Sequence, residues 1–248
     1  MRRRMILPAQ KTSRNRMRML LMRLLKMILP MNLLRIPVTV MPRRTLRIRK
    51  TMARFEIIPP VKGSVLSIQT KRLILSVYKP SAAQPVTDYI VRNRKFHKPF
   101  QQRHGERYYT VSEQRSYLKS DLSMFNRNTQ VAFWITLPEE PERIIGRLSF
   151  YSLIGGAMNS CFVGYHLDEL CQGQGYMSEA LLAGCDFMFK FYRLHRIEAD
   201  ILPTNERSLA CAGRCGFVKM GYNEKFMEID GEYRDHVMMV RLNPEVEM

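Results

Sequence analysis

The chain has 248 residues, 46% of them hydrophobic, with a formal net charge of +18, enough for one sizeable domain or one domain plus an extension. Residues 1–55 hold 16 of the 40 Lys and Arg and no acid, so the remainder carries 24 bases against 22 acids and only a leader is strongly basic. A transmembrane span is excluded in that leader, because Arg23, Lys26, Pro30 and Arg35 interrupt every apolar window of about 20 residues.

The leader also carries nine of the 18 methionines. Met17, Leu20, Leu21, Leu24, Leu25 and Ile28 have the spacing of one helix face, with Arg18, Arg23 and Lys26 between them. Charges break the apolar run and no small-residue cleavage site follows, which argues against a secretory signal. A mitochondrial presequence would be rich in serine, and Ser13 is the only serine before Ser64. A basic amphipathic helix suits contact with an anionic membrane, RNA or a ribosome, and a disordered segment is the plainer alternative. Composition changes so abruptly near Met52 that translation is expected to begin there, with residues 1–51 outside the native product.

Residues 70–77 set Leu73, Leu75 and Val77 against Arg72, Ile74 and Ser76, which predicts an opening strand. A helix is expected over 82–94, a polar loop from His97 to near Thr110, and a second helix over 112–126. Residues 130–137 and 143–153 read as strands joined through Pro138-Glu139-Glu140-Pro141 as a hairpin. Ser160–Leu167 is the next strand. A short glycine-bearing loop then opens a helix over 177–192, where Leu181, Leu182, Cys185, Met188, Phe189 and Tyr192 form an apolar face. Residues 196–202 form a strand, and Asn205 is placed to cap a helix that Gly216 ends in the left-handed conformation. Two last strands, over 219–229 and 233–242, flank Asp230-Gly231, the strongest hairpin signal in the chain. Strands and helices mix, with an antiparallel front and a strand–loop–helix–strand unit behind. The fold class is therefore α/β or α+β, in one domain over 66–242.

Five cysteines (Cys161, Cys171, Cys185, Cys211 and Cys215) form no CxxC pair and no Cys/His cluster with zinc spacing, so no metal is implied. They read as ordinary reduced cysteines of a cytoplasmic protein, with Cys211 and Cys215 able to share one helix face. The informative segment is Gln172-Gly173-Gln174-Gly175-Tyr176-Met177-Ser178, where a strand passes through two glycines directly into a helix. Glycines let the backbone approach an anion, and the free N–H groups of a first helical turn point at it. It lacks the Lys-Ser/Thr of a P-loop and the order of a dinucleotide-binding fingerprint. Phosphate binding and a merely tight strand–helix turn both remain open on these residues alone.

Gln172-x-x-Gly175-x-Met177 resembles the Q/R-x-x-G-x-G/A signature of GNAT acetyltransferases, with methionine in place of the usual small last residue. Further segments are similar to the ribosomal-protein-alanine N-acetyltransferase branch: T-x-R-L at Thr70, N-R-K-F-H-K-P at Asn93, I-I-G at Ile144 and G-Y at Gly164. H-R-I at His195, P-T-N-x-x-S at Pro203, G-F at Gly216 and I-D-G-x-x-R-D-H-V at Ile229 complete an unbroken order of about 175 residues. The resemblance implies the acyl-CoA N-acyltransferase fold: a mixed, mostly antiparallel sheet flanked by helices, with two strands splayed in a V. It also implies acetyl-CoA as co-substrate, held at Gln172, Gly173, Gln174, Gly175, Tyr176, Met177 and Ser178. The pantetheine arm would pair with backbone at Tyr165, His166 and Leu167, and Asn205 would touch the cofactor.

By the same resemblance Ser208 is the candidate proton donor to the leaving thiolate. Relatives that use a tyrosine there have it where this chain has Ala212. Asp200 stands where some relatives carry a catalytic glutamate, while another relative's position falls on Met227, beside Glu228. An exposed strand carboxylate is the bland reading of Asp200, as an N-cap and a first-turn serine are of Asn205 and Ser208. His195 and His236 are expected in structural hydrogen bonds. Phe96, Phe100, Tyr108 and Tyr109 suit either the acceptor side of a cleft or core packing. The implied activity is acetyl transfer by direct attack of an amine, with the N-terminal α-amine of a ribosomal protein as leading acceptor. A small amine (a polyamine, an amino acid or an antibiotic) and a non-catalytic acetyl-CoA-binding module are the alternatives.

Overall fold

The computed structural model describes residues 55–245, so the leader helix and the expected start at Met52 lie outside the described residues. Nine strands hydrogen-bond into one sheet. They are β1 (Glu56–Ile58), β2 (Ser64–Gln69), β3 (Ile74–Tyr78), β4 (Val131–Leu137) and β5 (Glu140–Ile154), then β6 (Ser160–Leu167), β7 (Arg196–Ile201), β8 (Val218–Ile229) and β9 (Glu232–Leu242). Their spatial order is β1-β2-β3-β4-β5-β6-β7-β9-β8, and every neighbouring pair is antiparallel except β6 with β7. That one parallel pair is joined by the crossover helix α4 (Tyr176–Phe187), which continues into a π-helical turn over Met188–Tyr192.

Alternation along β4 decides which helices cover which face. Trp134 packs with Tyr89 and Leu118, on the helices α1 (Ala83–Arg92) and α3 (Val111–Asn126). Its neighbour Phe133 points the other way and meets Phe187 of α4 edge-on, with ring centroids 5.4 Å apart. Gly184 lets α4 lie close on β5: a Cβ there would stand 2.5 Å from Leu148 Cδ2 and 2.9 Å from Phe150 Cε2. A short helix α2 (Arg94–His97) follows α1, and α5 (Glu206–Arg214) packs on α4 and β7.

Most expected elements are present with ends moved by a residue or two. Residues 70–73 depart from expectation. They are the β2–β3 connection rather than strand, because Thr70 N donates to Leu73 O (2.9 Å) and Leu73 N donates to Thr70 Oγ1 (3.1 Å). The strand before them, β2, went unread because both its faces are buried: Ser67 hides its hydroxyl against Ser76 Oγ at 2.8 Å, so the serines break the alternation without marking a surface. The sheet therefore takes in β1 and the start of β2, ahead of residue 66. Pro138-Glu139 alone makes the β4–β5 turn, since Leu137 already faces Glu140. Asp230 and Gly231 both hold positive φ (48° and 90°), which matches the two-residue hairpin expected there.

Candidate active site

β6 runs into a loop that is built to bend. The carboxylate of Asp168 accepts from Leu170 N at 3.0 Å, and Gln172 Nε2 donates back to Leu167 O and Asp168 O at 3.1 and 3.2 Å. Gly173 and Gly175 then take φ of 76° and 77°, where a Cβ is strained. Gly175 is the N-cap of α4, so no side chain occupies the amides of Tyr176, Met177 and Ser178. The loop is braced from outside by Arg72. Its guanidinium donates to Gln174 O (3.0 Å) and Glu179 Oε2 (2.7 Å) and lies 4.7 Å from the centre of the Tyr176 ring. A half-exposed cation, a helix N-terminus and bare backbone amides converge here, which is a chemistry for phosphate.

Beside the loop the sheet opens. β6 and β7 pair at only three positions, Ser160–Arg196, Cys161–Ile197 and Phe162–Glu198. β6 stays bonded to β5 as far as Leu167, and β7 stays bonded to β9 as far as Ile201. Beyond Phe162 and Glu198 the two strands diverge into a wedge. A cavity of about 950 Å³ extends from it under α1 and α3, lined by Tyr165, His166, Leu167, Met177, Asp200, Asn205 and Ser208 among others. Asn205 caps α5 by accepting from Ser208 N at 3.2 Å.

The acetyltransferase (GNAT) domain model matches residues 72–218 of this sequence. The chain belongs to the GNAT acetyltransferase family. It is 32% identical to the [ribosomal protein uS5]-alanine N-acetyltransferase of Escherichia coli (strain K12) over 178 residues, which is 72% of this chain and 91% of that one. Among solved structures it is similar to the ribosomal-protein-S5-alanine acetyltransferase from Vibrio fischeri, with TM-score 0.69 and 29% identity over 72% of this chain and 97% of that one. The fold is shared with Mycobacterium smegmatis RimJ, solved with a CoA disulfide, at TM-score 0.66 and 24% identity over 71% of this chain and 84% of that one.

The GNAT wedge of this chain carries few groups fit for proton transfer. Asp200 is the best placed: Oδ1 accepts from Asn223 Nδ2 at 2.8 Å, while Oδ2 is buried without a hydrogen-bond partner among the described residues. Burial, and then the nearby Glu198 carboxylate, raise its pKa above the usual aspartate range despite the amide of Asn223. Ser208 Oγ donates to Tyr165 Oη at 3.0 Å, and Tyr165 Oη donates to Ser208 O at 3.0 Å. Burial pushes the Tyr165 phenol up strongly, so it stays protonated. His166 Nδ1 and Tyr89 Oη share a hydrogen bond of 2.6 Å, and His97 Nε2 bonds Leu167 O at 2.9 Å. Burial lowers both imidazoles, His166 most, with His97 and Arg147 adding to it, so both rings are neutral at pH 7.

The expected residues thus gather on two adjoining structures: the loop residues at the start of α4, and Tyr165, Asp200, Asn205 and Ser208 around the wedge. The carbonyl of Leu167 is already taken by His97 and Gln172, so that end of β6 is occupied by side chains. His236 makes a structural bond, between Nδ1 and Arg234 O at 2.9 Å. His195 does so only through its backbone, since its ring Nδ1 is buried without a partner. Phe96, Phe100 and Tyr108 line the cavity, and Tyr108 and Tyr109 both pack against the core cluster that holds Tyr89 and Leu118. Sequence reasoning missed the Tyr165 side chain as the partner of Ser208, the Arg72 brace and Asn223. Arg72 had a signal in T-x-R-L. Asn223 had none, because it meets Asp200 across 23 residues of chain.

Proposed function

We propose that the protein transfers acetyl from acetyl-CoA to the N-terminal α-amine of a protein, with ribosomal proteins as the leading acceptors. The observation that carries this reading is the divergence of β6 from β7 beside a glycine loop at the start of α4. Acetyl-CoA would supply the acetyl group as a thioester, with its pyrophosphate at the Gly173–Ser178 amides and its pantetheine arm along the free side of β6. Asp200 Oδ2 takes a proton from the incoming ammonium, and the freed amine attacks the thioester carbon. A C–N bond forms as the C–S bond breaks, and the amide nitrogen releases its second proton to solvent. The Ser208 hydroxyl turns its hydrogen from Tyr165 Oη to the thiolate, gives it up and is replenished by water, while the bond from Tyr165 Oη to Ser208 O keeps the residue in place.

An α-amine has a pKa of about 7.7–8.0 against about 10.4 for lysine. A wedge with a single raised carboxylate suits the weaker base. The relatives named for ribosomal proteins support the same acceptor class. A peptide library with varied first residues, assayed with acetyl-CoA and read by mass spectrometry, tests the reading. Acetylation at the α-amine of a subset of first residues is the expected result. Acetylation of polyamines or free amino acids in preference to every peptide would overturn it.

A further inference from the structure

Asp200 stands at a place where a carboxylate is costly. It lies on β7 two residues past the last pair with β6, so it faces the opening wedge with no strand on that side. Four ionisable groups face it: Glu198 and Arg196 on its own strand, His236 on β9, and Tyr151 on β5, whose phenol is pushed up to about 12 by burial and then by Asp200. Glu206 and Arg207 of α5 line the same cavity. Arg196 is engaged with Glu198 at 2.6 Å, so it leaves Asp200 without a direct cationic partner. Among the described residues the one side-chain hydrogen bond to the carboxylate comes from Asn223, which reaches over β9 from the edge strand β8.

The geometry of β8 serves that reach. The register between β8 and β9 slips between Asn223 and Met227, and Lys225 sits within the slip at φ 43°. Asp235 on β9 pins it by accepting from Lys225 N at 2.9 Å. Such a bulge re-aims the residues at its edges. Here it lets the Asn223 amide meet Oδ1 of Asp200, while Oδ2, buried, has no hydrogen bond among the described residues, and Asp200 lines the cavity.

We infer that Asn223 is a positioning residue for acetyl transfer: its amide clamps one oxygen of Asp200 and turns the other toward the attacking amine. The inference rests on the reading of Asp200 as the base. An amide donates to the ionised carboxylate, so its removal disfavours ionisation and the base works only at higher pH. Asn223→Ala should lower kcat about tenfold, leave KM for acetyl-CoA near the wild-type value, and move the acid limb of kcat/KM to higher pH. Asn223→Asp, which keeps the shape, should move that limb further, because a second carboxylate faces the first. Wild-type acid limbs in both variants would overturn the inference. Asp200→Ala separates the two claims. Loss of the acid limb in Asp200→Ala with unshifted limbs in both Asn223 variants would sink the positioning role alone. An intact acid limb and near wild-type kcat in Asp200→Ala would sink the base itself.

Discussion

Glu179 shows how one side chain can tie the start of α4 to the rest of the molecule. It accepts from Thr70 Oγ1 (2.7 Å), Arg72 N (2.9 Å) and Arg72 Nε (2.7 Å). Burial alone would raise its pKa, but the bonds from Thr70 and Arg72 outweigh burial and lower it below the ordinary 4.5. A carboxylate whose folded-state pKa is depressed stabilises the fold above its unfolded pKa and loses that contribution as pH falls through the folded value. Glu179→Gln should therefore cost about 1–2 kcal/mol near neutral pH, with the lower end favoured because Arg72 is half exposed. The difference in Tm between wild type and variant should shrink as the pH drops below about 4, which scanning calorimetry at several pH values would measure. A difference independent of pH would mean that the clasp works through shape and not charge. The T-x-R-L segment marked Thr70 and Arg72, but nothing local announced Glu179 as their partner. Thr70 and Arg72 looked like strand residues in sequence, and their partner lies more than 100 residues away.

The helix α4 carries the site, and its seat on the sheet fixes where its N-terminus points. Apart from Leu182, every residue from Ala180 to Phe189 is buried, so the single apolar face expected from periodicity is only part of its contact surface. Gly184 is the closest approach, and Leu148 and Phe150 fill the space a methyl would need. Gly184→Ala should destabilise the protein by about 1–3 kcal/mol through overpacking, despite the better helix propensity of alanine. Urea denaturation would register it as a lower midpoint at unchanged m, and a gain in stability would contradict the packing described here. Helices and paired strands were legible because their caps and turns are local: Asn205 accepts from Ser208 N, Thr110 accepts from Glu113 N, and Asp230-Gly231 forms the last hairpin. The burial of α4 on both sides was not legible, because it depends on β5 and α5 arriving from elsewhere in the chain.

At the scale of the molecule, the proposed function depends on a failure of pairing. Three register pairs hold β6 to β7, and the same two strands remain fully bonded to their outer neighbours, so the wedge is held open by the sheet itself. The glycine loop and the family were legible in Gln172–Met177, since a glycine-rich entry to a helix is written in consecutive residues. The partners of the catalytic candidates were not. Tyr165 meets Ser208 across 43 residues and Asn223 meets Asp200 across 23, so both contacts exist only once the sheet has formed. In the proposed function the α4 N-terminus and the wedge together hold the coenzyme. Titration calorimetry of CoA against wild type and Gly175→Glu tests it most directly. The substitution places a side chain at φ 77° and a carboxylate where the pyrophosphate should lie. With both proteins melting cooperatively, affinity should fall at least tenfold, about 1.4 kcal/mol. An unchanged Kd would contradict the account.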